Sequence, residues 1–273
     1  MTQHYSVLMS VYHKEKPLFL REAMESILHQ TIPTNDFVLV CDGPLTSDLD
    51  NVIDEMKTSF GEILRVHKLK ENQGLGNALN IGLSLCRNDL VARMDSDDIC
   101  LLNRCELQLQ EFEKDESLSL LSGVVEQFHV NTMHIIGKRK VPSQYRDIIT
   151  FSKKRNPFNH PAVMFRKQAV EAAGGYDERF NLFEDYYLWV RILRQGNRVS
   201  NLKETLVYMR TPIDMYERRG GVSYAKNLLA FNYWLLQIKW IGTFDYISGT
   251  LPHALVCILP NRLRKFVYTF LHS

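Results

Sequence analysis

The chain of 273 residues lacks any cysteine spacing that would hold a metal or form a redox pair. Cys41, Cys86, Cys100, Cys105 and Cys257 make no Cys-x-x-Cys motif and no zinc pattern with histidine. Their number is odd, and the start Met1-Thr2-Gln3-His4-Tyr5 does not resemble a signal peptide, so free thiols in a reducing cytoplasm are expected. No uninterrupted apolar run is long enough for a transmembrane helix. An excess of one charge is missing as well. The 33 basic and 31 acidic side chains leave a net charge of +2, which gives no case for nucleic acid as the main partner. Repeats, low-complexity tracts and a clear linker are also absent, which points to one large α/β domain, or one domain with an appendage.

What is present is organised around Asp89-Leu90-Val91-Ala92-Arg93-Met94-Asp95-Ser96-Asp97-Asp98. Its first half is short and mostly apolar, the pattern of a buried strand. Its second half places three carboxylates within four residues, where the strand should run out. Like charges this close repel unless water or a cation screens them. Oxygen-rich clusters suit hard divalent ions such as Mg²⁺ or Mn²⁺, which commonly bridge a protein to phosphate oxygens. Ligands in open α/β sheets sit at the carboxyl ends of the strands. An acidic cap on the helix that begins near Leu101 is the other reading of the same residues.

The first hundred residues alternate strand and helix. Strands are expected at Tyr5–Val11, Phe37–Cys41 and Ile63–Leu69, with helices over Leu18–Gln30 and Leu49–Phe60 and from Gly74 to Arg87. That order predicts a mostly parallel sheet covered on both faces, with right-handed crossovers. Further on, a helix is expected over Leu101–Glu113, strands at Leu118–Phe128, Met133–Ile136 and Ala162–Phe165, and a short helix over Ser143–Ser152. A helix starting at the acidic pair Glu184-Asp185 should turn Leu188, Trp189 and Ile192 inward, and Val199–Met209 should return to the sheet.

With these pieces in order, roughly residues 5–221 resemble the inverting family 2 glycosyltransferases of the GT-A fold, and most of all bacterial enzymes that build O-antigen or exopolysaccharide repeats. Five ordered features carry the resemblance: Val7–Tyr12, Val38–Gly43, Asn72–Asn80, Asp95–Asp98 and Glu184–Arg191. It implies a Rossmann-like, mostly parallel mixed sheet flanked by helices. The nucleotide-sugar half would cover about residues 1–98 and the acceptor half 99–221, followed by a helical tail over 222–273. It also implies transfer of a hexose, glucose or galactose, from a UDP-sugar to a saccharide carried on undecaprenyl pyrophosphate, with Mn²⁺ or Mg²⁺ as cofactor and a β linkage as product. Fold resemblance alone does not fix function. A sugar-1-phosphate nucleotidyltransferase would share the sheet, but it usually opens with a glycine-rich loop, and Val11–Lys16 contains no glycine. A non-catalytic assembly factor is the third reading.

The resemblance assigns Asp97 to the metal, and Asp95 to the ribose and the metal. Asp42 would accept from the uracil N3–H, and Val11, Tyr12 and Glu15 would line the base pocket. Asn72 and Gly74 would face the nucleotide, with glycine letting the backbone approach it closely. Cys41, Pro44 and Leu79 depart from the family pattern, and Leu79 stands where a phosphate-binding arginine is often found. Asp185 would be the base that removes the acceptor hydroxyl's proton, with Glu184 beside it for acceptor contact and charge tuning. Helix N-termini favour acids without any catalysis. His160 would border the acceptor pocket. No histidine lies between Arg210 and Gly221, so Arg210, Arg218 and Arg219 are the candidates for diphosphate or lipid-phosphate contact.

The tail carries Leu228, Leu229, Phe231, Trp234, Leu235, Ile238, Trp240 and Ile241, then Arg262, Arg264 and Lys265 among further apolar residues. Aromatic and basic residues mixed in this way suit a membrane interface. The expectation is peripheral attachment to the inner face of the bacterial inner membrane. Packing of these helices on the domain is the alternative.

Overall fold

The computed structural model describes residues 4–211, 220–260 and 263–264. Four parallel strands, β1 (Tyr5–Val11), β2 (Asp36–Cys41), β3 (Leu64–Lys68) and β4 (Leu90–Asp95), form the first half of a nine-stranded sheet in the order β3-β2-β1-β4. Both faces of these strands are covered, and alternate residues serve different layers. Val7, Met9 and Val11 pack with α1 (Pro17–Leu28) and α2 (Ser47–Phe60), while Leu8, Val38 and Val40 pack with α3 (Leu75–Leu85). The order of strand addition reverses at β1, from β2 and β3 on one side to β4 on the other, so the carboxyl ends of β1, β2 and β4 open one crevice.

β4 does not run directly into a helix. Asp95–Asp98 turn into β5 (Ile99–Cys100), which pairs with the end of β9 (Arg198–Arg210) through Ile99–Tyr208 and Cys100–Val207. This strap delays α4 to Arg104–Lys114, three residues after the Leu101 start expected from periodicity. The long strand β6 (Leu118–Phe128) pairs in parallel with β9 on one edge. It divides its other edge between β8 (Met164–Arg166) and β7 (Ile135–Arg139). β7 lies further along than the expected 133–136. Part of the expected strand at Ala162 is a 3-10 turn, His160–Ala162. Between them α5 spans Tyr145–Phe151. α6 (Lys167–Ala172) precedes α7 (Glu184–Arg194), where Leu188, Trp189 and Ile192 are fully buried as expected. All five cysteines are buried, and none is in a disulfide.

The tail divides between core and surface. α8 (Val222–Gln237) buries Ala225, Leu228, Phe231 and Leu235 against Phe180, Phe183, Tyr186 and Tyr187. Phe231 lies 5.1 Å from the Phe183 ring, and Trp234 lies 4.5 Å from that of Tyr187. This part of the expected membrane segment therefore packs on the domain, because α7 offers it an aromatic face. Arg264, expected among the basic residues of the tail, is also buried and donates to the Cys257 carbonyl at 3.1 Å. Beyond α8, α9 (Thr243–Asp245) passes through a π turn (Tyr246–Thr250) into α10 (Leu251–Ile258). Arg262 and Lys265 lie outside the described residues. Because Phe231 is wholly enclosed, Phe231→Ala should lower stability by about 3–5 kcal/mol, read as a lower urea midpoint. A loss under about 1 kcal/mol, the surface-substitution range, would place the ring outside the core.

Candidate active site

The acidic turn sits where β4 ends. Arg93 and Asp95, two residues apart on one strand, share a side of the sheet. The Arg93 guanidinium grips both Asp95 oxygens, one at 2.6 Å. Arg93 is 1% exposed, and its Nε has no partner among the described residues. Ser96 donates to Glu15 at 2.6 Å. Asp98 is fully buried and accepts the Arg210 backbone N–H at 2.7 Å. Burial, then the charges of Asp97 and Asp95, push the Asp98 carboxyl well above its ordinary range. Asp97 makes no ion pair with a described cation. Burial, followed by the Asp95 and Glu15 charges, pushes it up to about 7.

Two expectations change here. Glu15, expected beside the base, is tied to the acidic turn through Ser96 instead. Arg210, expected on a phosphate, is spent within the protein. Its guanidinium donates to the Asp97 carbonyl at 2.9 Å and to Glu22 at 2.5 Å, and lies 3.8 Å over Phe19 and 4.5 Å over Phe128. Arg218 and Arg219 lie outside the described residues.

A divalent cation fits this chemistry. Asp97 forms no ion pair among the described residues, with the Arg93 charge only partly opposing its upward shift, and Asp95 stands close by. Among the described residues no group of three or more His, Cys, Asp or Glu side chains is placed to hold a metal by itself. A cation on Asp97 and Asp95 would therefore complete its shell with oxygens from elsewhere, as Mg²⁺-type ions do with phosphates.

At the end of β2, Asp42 organises the turn over residues 72–74. Its carboxylate accepts from the Asn72 side chain at 2.9 Å, the Gln73 N–H at 2.7 Å and the Gly74 N–H at 3.1 Å. Gly43 has φ +87°, and a Cβ there would come within 2.7 Å of the Asn72 nitrogen. The Asp42 N–H donates to Val11 at 2.8 Å, and Tyr12 is half-exposed at the rim. Val11, Asp42, Asn72 and Gly74 are thus brought together, with Tyr12 at the edge. Glu178 is a residue that sequence reasoning missed. Its carboxylate lies over Gly74, where an added Cβ would come within 2.2 Å.

On the opposite side, α7 begins with the acidic pair. Glu184 accepts the Leu182 N–H at 2.9 Å, bracing the turn before the helix at a residue with φ +70°. Asp185 accepts the Tyr186 N–H at 2.7 Å and the Asn156 side chain at 2.6 Å. Burial pushes both carboxyls upward, and for Asp185 those hydrogen bonds and the Arg139 and Arg93 charges oppose the shift. A carboxylate so placed holds a proton more readily than an exposed one, as a general base must.

Tyr176 joins the two sides. Asn80 clamps its backbone in both directions, at 2.7 and 2.8 Å. Arg191 fixes the preceding turn through the Ala173 and Gly175 carbonyls, at 2.6 Å each. The Tyr176 hydroxyl meets His160 Nε2 at 3.0 Å and lies in the fields of Arg93, Asp185 and Asp95. Burial and the Arg93 charge hold His160 well below its ordinary pKa, so it works as a neutral hydrogen-bonding ring. Arg93, Tyr176 and Asn156 carry no sequence motif. Arg93 was the one legible signal, a cation inside an apolar strand.

A mostly parallel sheet whose strand order reverses beside an acidic turn, with a half-buried carboxylate across the opening, is the arrangement of a GT-A glycosyltransferase. Solved structures share the fold. TarS from S. aureus in complex with UDP superposes with a TM-score of 0.63 at 19% identity, over 94% of this chain and 76% of that one. A mannosyltransferase from Pyrobaculum calidifontis in complex with GDP-Man and Mn²⁺ superposes at 0.68 and 14% identity, over 99% and 81%. The chain belongs to glycosyl transferase family 2, whose model matches residues 6–172. It is 39% identical to an Escherichia coli UDP-Gal:alpha-D-GlcNAc-diphosphoundecaprenol beta-1,3-galactosyltransferase, over 98% of this chain and 96% of that protein. It is 36% identical to the amylovoran biosynthesis glycosyltransferase AmsE of Erwinia amylovora, over 97% of each.

The Asp97 carboxyl generates a pH test. Its folded value, about 7, lies above the ordinary 3.8, so between these values the folded chain holds a proton that the unfolded chain has released. Stability should therefore fall as pH rises from about 4 to 7. With chelator present, the thermal midpoint of the wild type should drop across that window more steeply than that of Asp97→Asn. Added Mn²⁺ should recover more stability above pH 7 than at pH 5. Parallel slopes for the two proteins would remove Asp97 from this account.

Proposed function

We propose that the chain transfers a hexose, with galactose the first candidate, from a UDP-sugar to an N-acetylhexosamine carried on a lipid diphosphate, with inversion and a β linkage. The observation that carries the proposal is the pairing of two acidic sites across one opening: Asp95 and Asp97 at the end of β4, and Asp185 at the start of α7, with Arg93 and Tyr176 between them. The relatives named above support the donor and the acceptor.

Asp185 takes the proton from the acceptor hydroxyl, and Asn156 holds the carboxylate in place as the oxygen attacks the anomeric carbon. The bond from that carbon to the donor's phosphate oxygen breaks, and UDP leaves with the electron pair. Mn²⁺ or Mg²⁺ on Asp97 and Asp95 would neutralise the diphosphate and make it a better leaving group. Asp42 and the 72–74 turn form the cradle for the base and ribose. Glu184 holds the entry to α7, and His160 orients Tyr176 beside the acceptor. A lipid-carried acceptor places the enzyme peripherally on the inner face of the inner membrane.

Asp185→Asn keeps the shape and loses the proton acceptor. Turnover should fall by about 10²–10⁴-fold while UDP affinity stays within the wild-type range. The assay is a UDP-sugar panel with Mn²⁺ and a synthetic diphospho-lipid N-acetylhexosamine, the product linkage being read by NMR. Chelator should stop the wild type. Near-normal turnover in Asp185→Asn would make that residue a helix cap, and no transfer from any UDP-sugar would end the reading.

A further inference from the structure

Residues 138–155 concentrate charge in a chain that is otherwise balanced. Seven of them are basic and one, Asp147, is acidic, whereas the whole chain carries a net +2. Lys138 is paired with Glu126 at 2.8 Å. The others run from Arg139, the last residue of β7, through α5 to Lys153, Lys154 and Arg155, directly before Asn156. The fold brings the two ends of this segment together beside Asp185. The Arg139 guanidinium donates to the Asn156 carbonyl at 3.0 Å, and the Asn156 side chain donates to Asp185 at 2.6 Å. Asn159 donates to the Arg139 carbonyl at 3.1 Å, and the Asn201 side chain spans the Pro142 and Pro157 carbonyls at 2.7 and 3.1 Å. Residues 139–142 therefore run alongside residues 156–159. Arg139, Asn156 and Asp185 are all half-buried, so solvent reaches them.

An open cleft of about 430 Å³ adjoins this tie, lined by Pro142, Asp147, Thr150, Phe151, Lys154 and Arg155. Lys154 and Arg155 are exposed and stand outside every ion pair among the described residues. The Arg139 charge reaches Asp185, where it opposes the upward shift that burial produces. A cation there works against a proton acceptor, and the site gains from it only when an anion of the substrate meets it. An acceptor sugar carried on a diphosphate brings such an anion. Its reacting hydroxyl belongs at Asp185, and its diphosphate follows across the width of one sugar ring. Guanidinium groups hold phosphate oxygens in pairs. Pro142 and Phe151 offer apolar surface beside the cations, the mixture expected where a ligand joins a charged group to a hydrocarbon chain.

We propose that Arg139, with Lys154 and Arg155 at the adjoining cleft, binds the diphosphate of the acceptor, and that Pro142 and Phe151 receive the start of its lipid chain. The proposal rests on the reading that the acceptor is carried on a lipid diphosphate, and it adds where that group sits. Bilayer phosphates are the other source of the same chemistry, and acceptors free in solution separate the two.

The test uses the full chain without vesicles, with a UDP-sugar, Mn²⁺ and two water-soluble acceptors. One is an N-acetylhexosamine on a short-chain alkyl diphosphate, and the other is the same sugar as a neutral alkyl glycoside. The readout is the ratio of kcat/KM for the two. Wild type should favour the diphosphate on the order of 100-fold. Arg139→Gln should cut that preference about tenfold or more, the usual contribution of a hydrogen bond to a charged group, and Arg139→Lys should lie between the two. Lys154→Gln with Arg155→Gln should cut it about fivefold, as for charges at a solvated rim. A role for Arg139 through Asn156 alone would slow transfer to both acceptors and leave the ratio unchanged, which overturns the subsite. A ratio near one in the wild type overturns it as well and leaves bilayer phosphates as the partner of these cations. Calorimetric binding of the two acceptors, with UDP and Mn²⁺ present, gives the preference again without turnover. Wild type that transfers to neither acceptor would end the proposed reaction, while the binding ratio still decides the subsite.

Discussion

Three carboxylates in four residues at the end of a buried strand set the terms for the rest of this molecule. Four arginines are buried among the described residues, and three of them surround that turn. Arg93 holds Asp95. Arg210 closes over the Asp97 carbonyl and gives its backbone N–H to Asp98. Arg104, with no exposure at all, donates to the Arg93 and Val163 carbonyls beneath the turn. Buried ion pairs cost desolvation that their attraction only partly offsets, so such an arrangement is weak evidence for stability and better evidence of a constraint kept for another reason. Here the constraint fixes the turn's geometry and leaves Asp97 and Asp98 with no ion pair among the described residues.

The same turn ties distant parts of the chain together. Glu15 from the loop after β1 and Arg210 from the end of β9 close on it, and Glu22 of α1 holds Arg210 in place. A second tie runs through Tyr176, whose backbone is held by Asn80 of α3 while its hydroxyl reaches His160. The β2–α3 side and the α7 side of the opening are therefore joined by polar links as well as by the sheet. Such links specify geometry more sharply than apolar packing, because a shifted partner leaves an unsatisfied group behind.

Much of this was legible in the chain. The alternation of strand and helix up to Asp98 placed β1 to β4 within a residue or so, and Asp95–Asp98 and Glu184-Asp185 marked both sides of the opening. What the sequence hid was pairing at long range. Arg93 gained its meaning only when β4 set it on the same side as Asp95, and when Tyr176 and Asp185 came to it from more than eighty residues away. Glu15 read as a base-pocket residue and Arg210 as a phosphate contact because nothing local shows that Ser96, Glu22 and two aromatic rings would claim them. In the tail, apolar spacing was clear, but one helical period serves a core and an exposed face equally well. The aromatic side of α7 decided which residues went inward.

The five buried cysteines carry a practical consequence. Burial pushes the thiol of Cys41 up to about 11 and those of Cys86 and Cys105 up to about 12. The thiolate is the species that reacts, so these sulfurs stay inert while the fold is closed. They are spread through the sheet, the helices around it and the tail. Each one acts as a clock for its own region: an alkylating reagent in the surrounding solution marks a cysteine only when that region breathes open. The chain thus comes with built-in reporters of which part loosens first, with no engineered label needed.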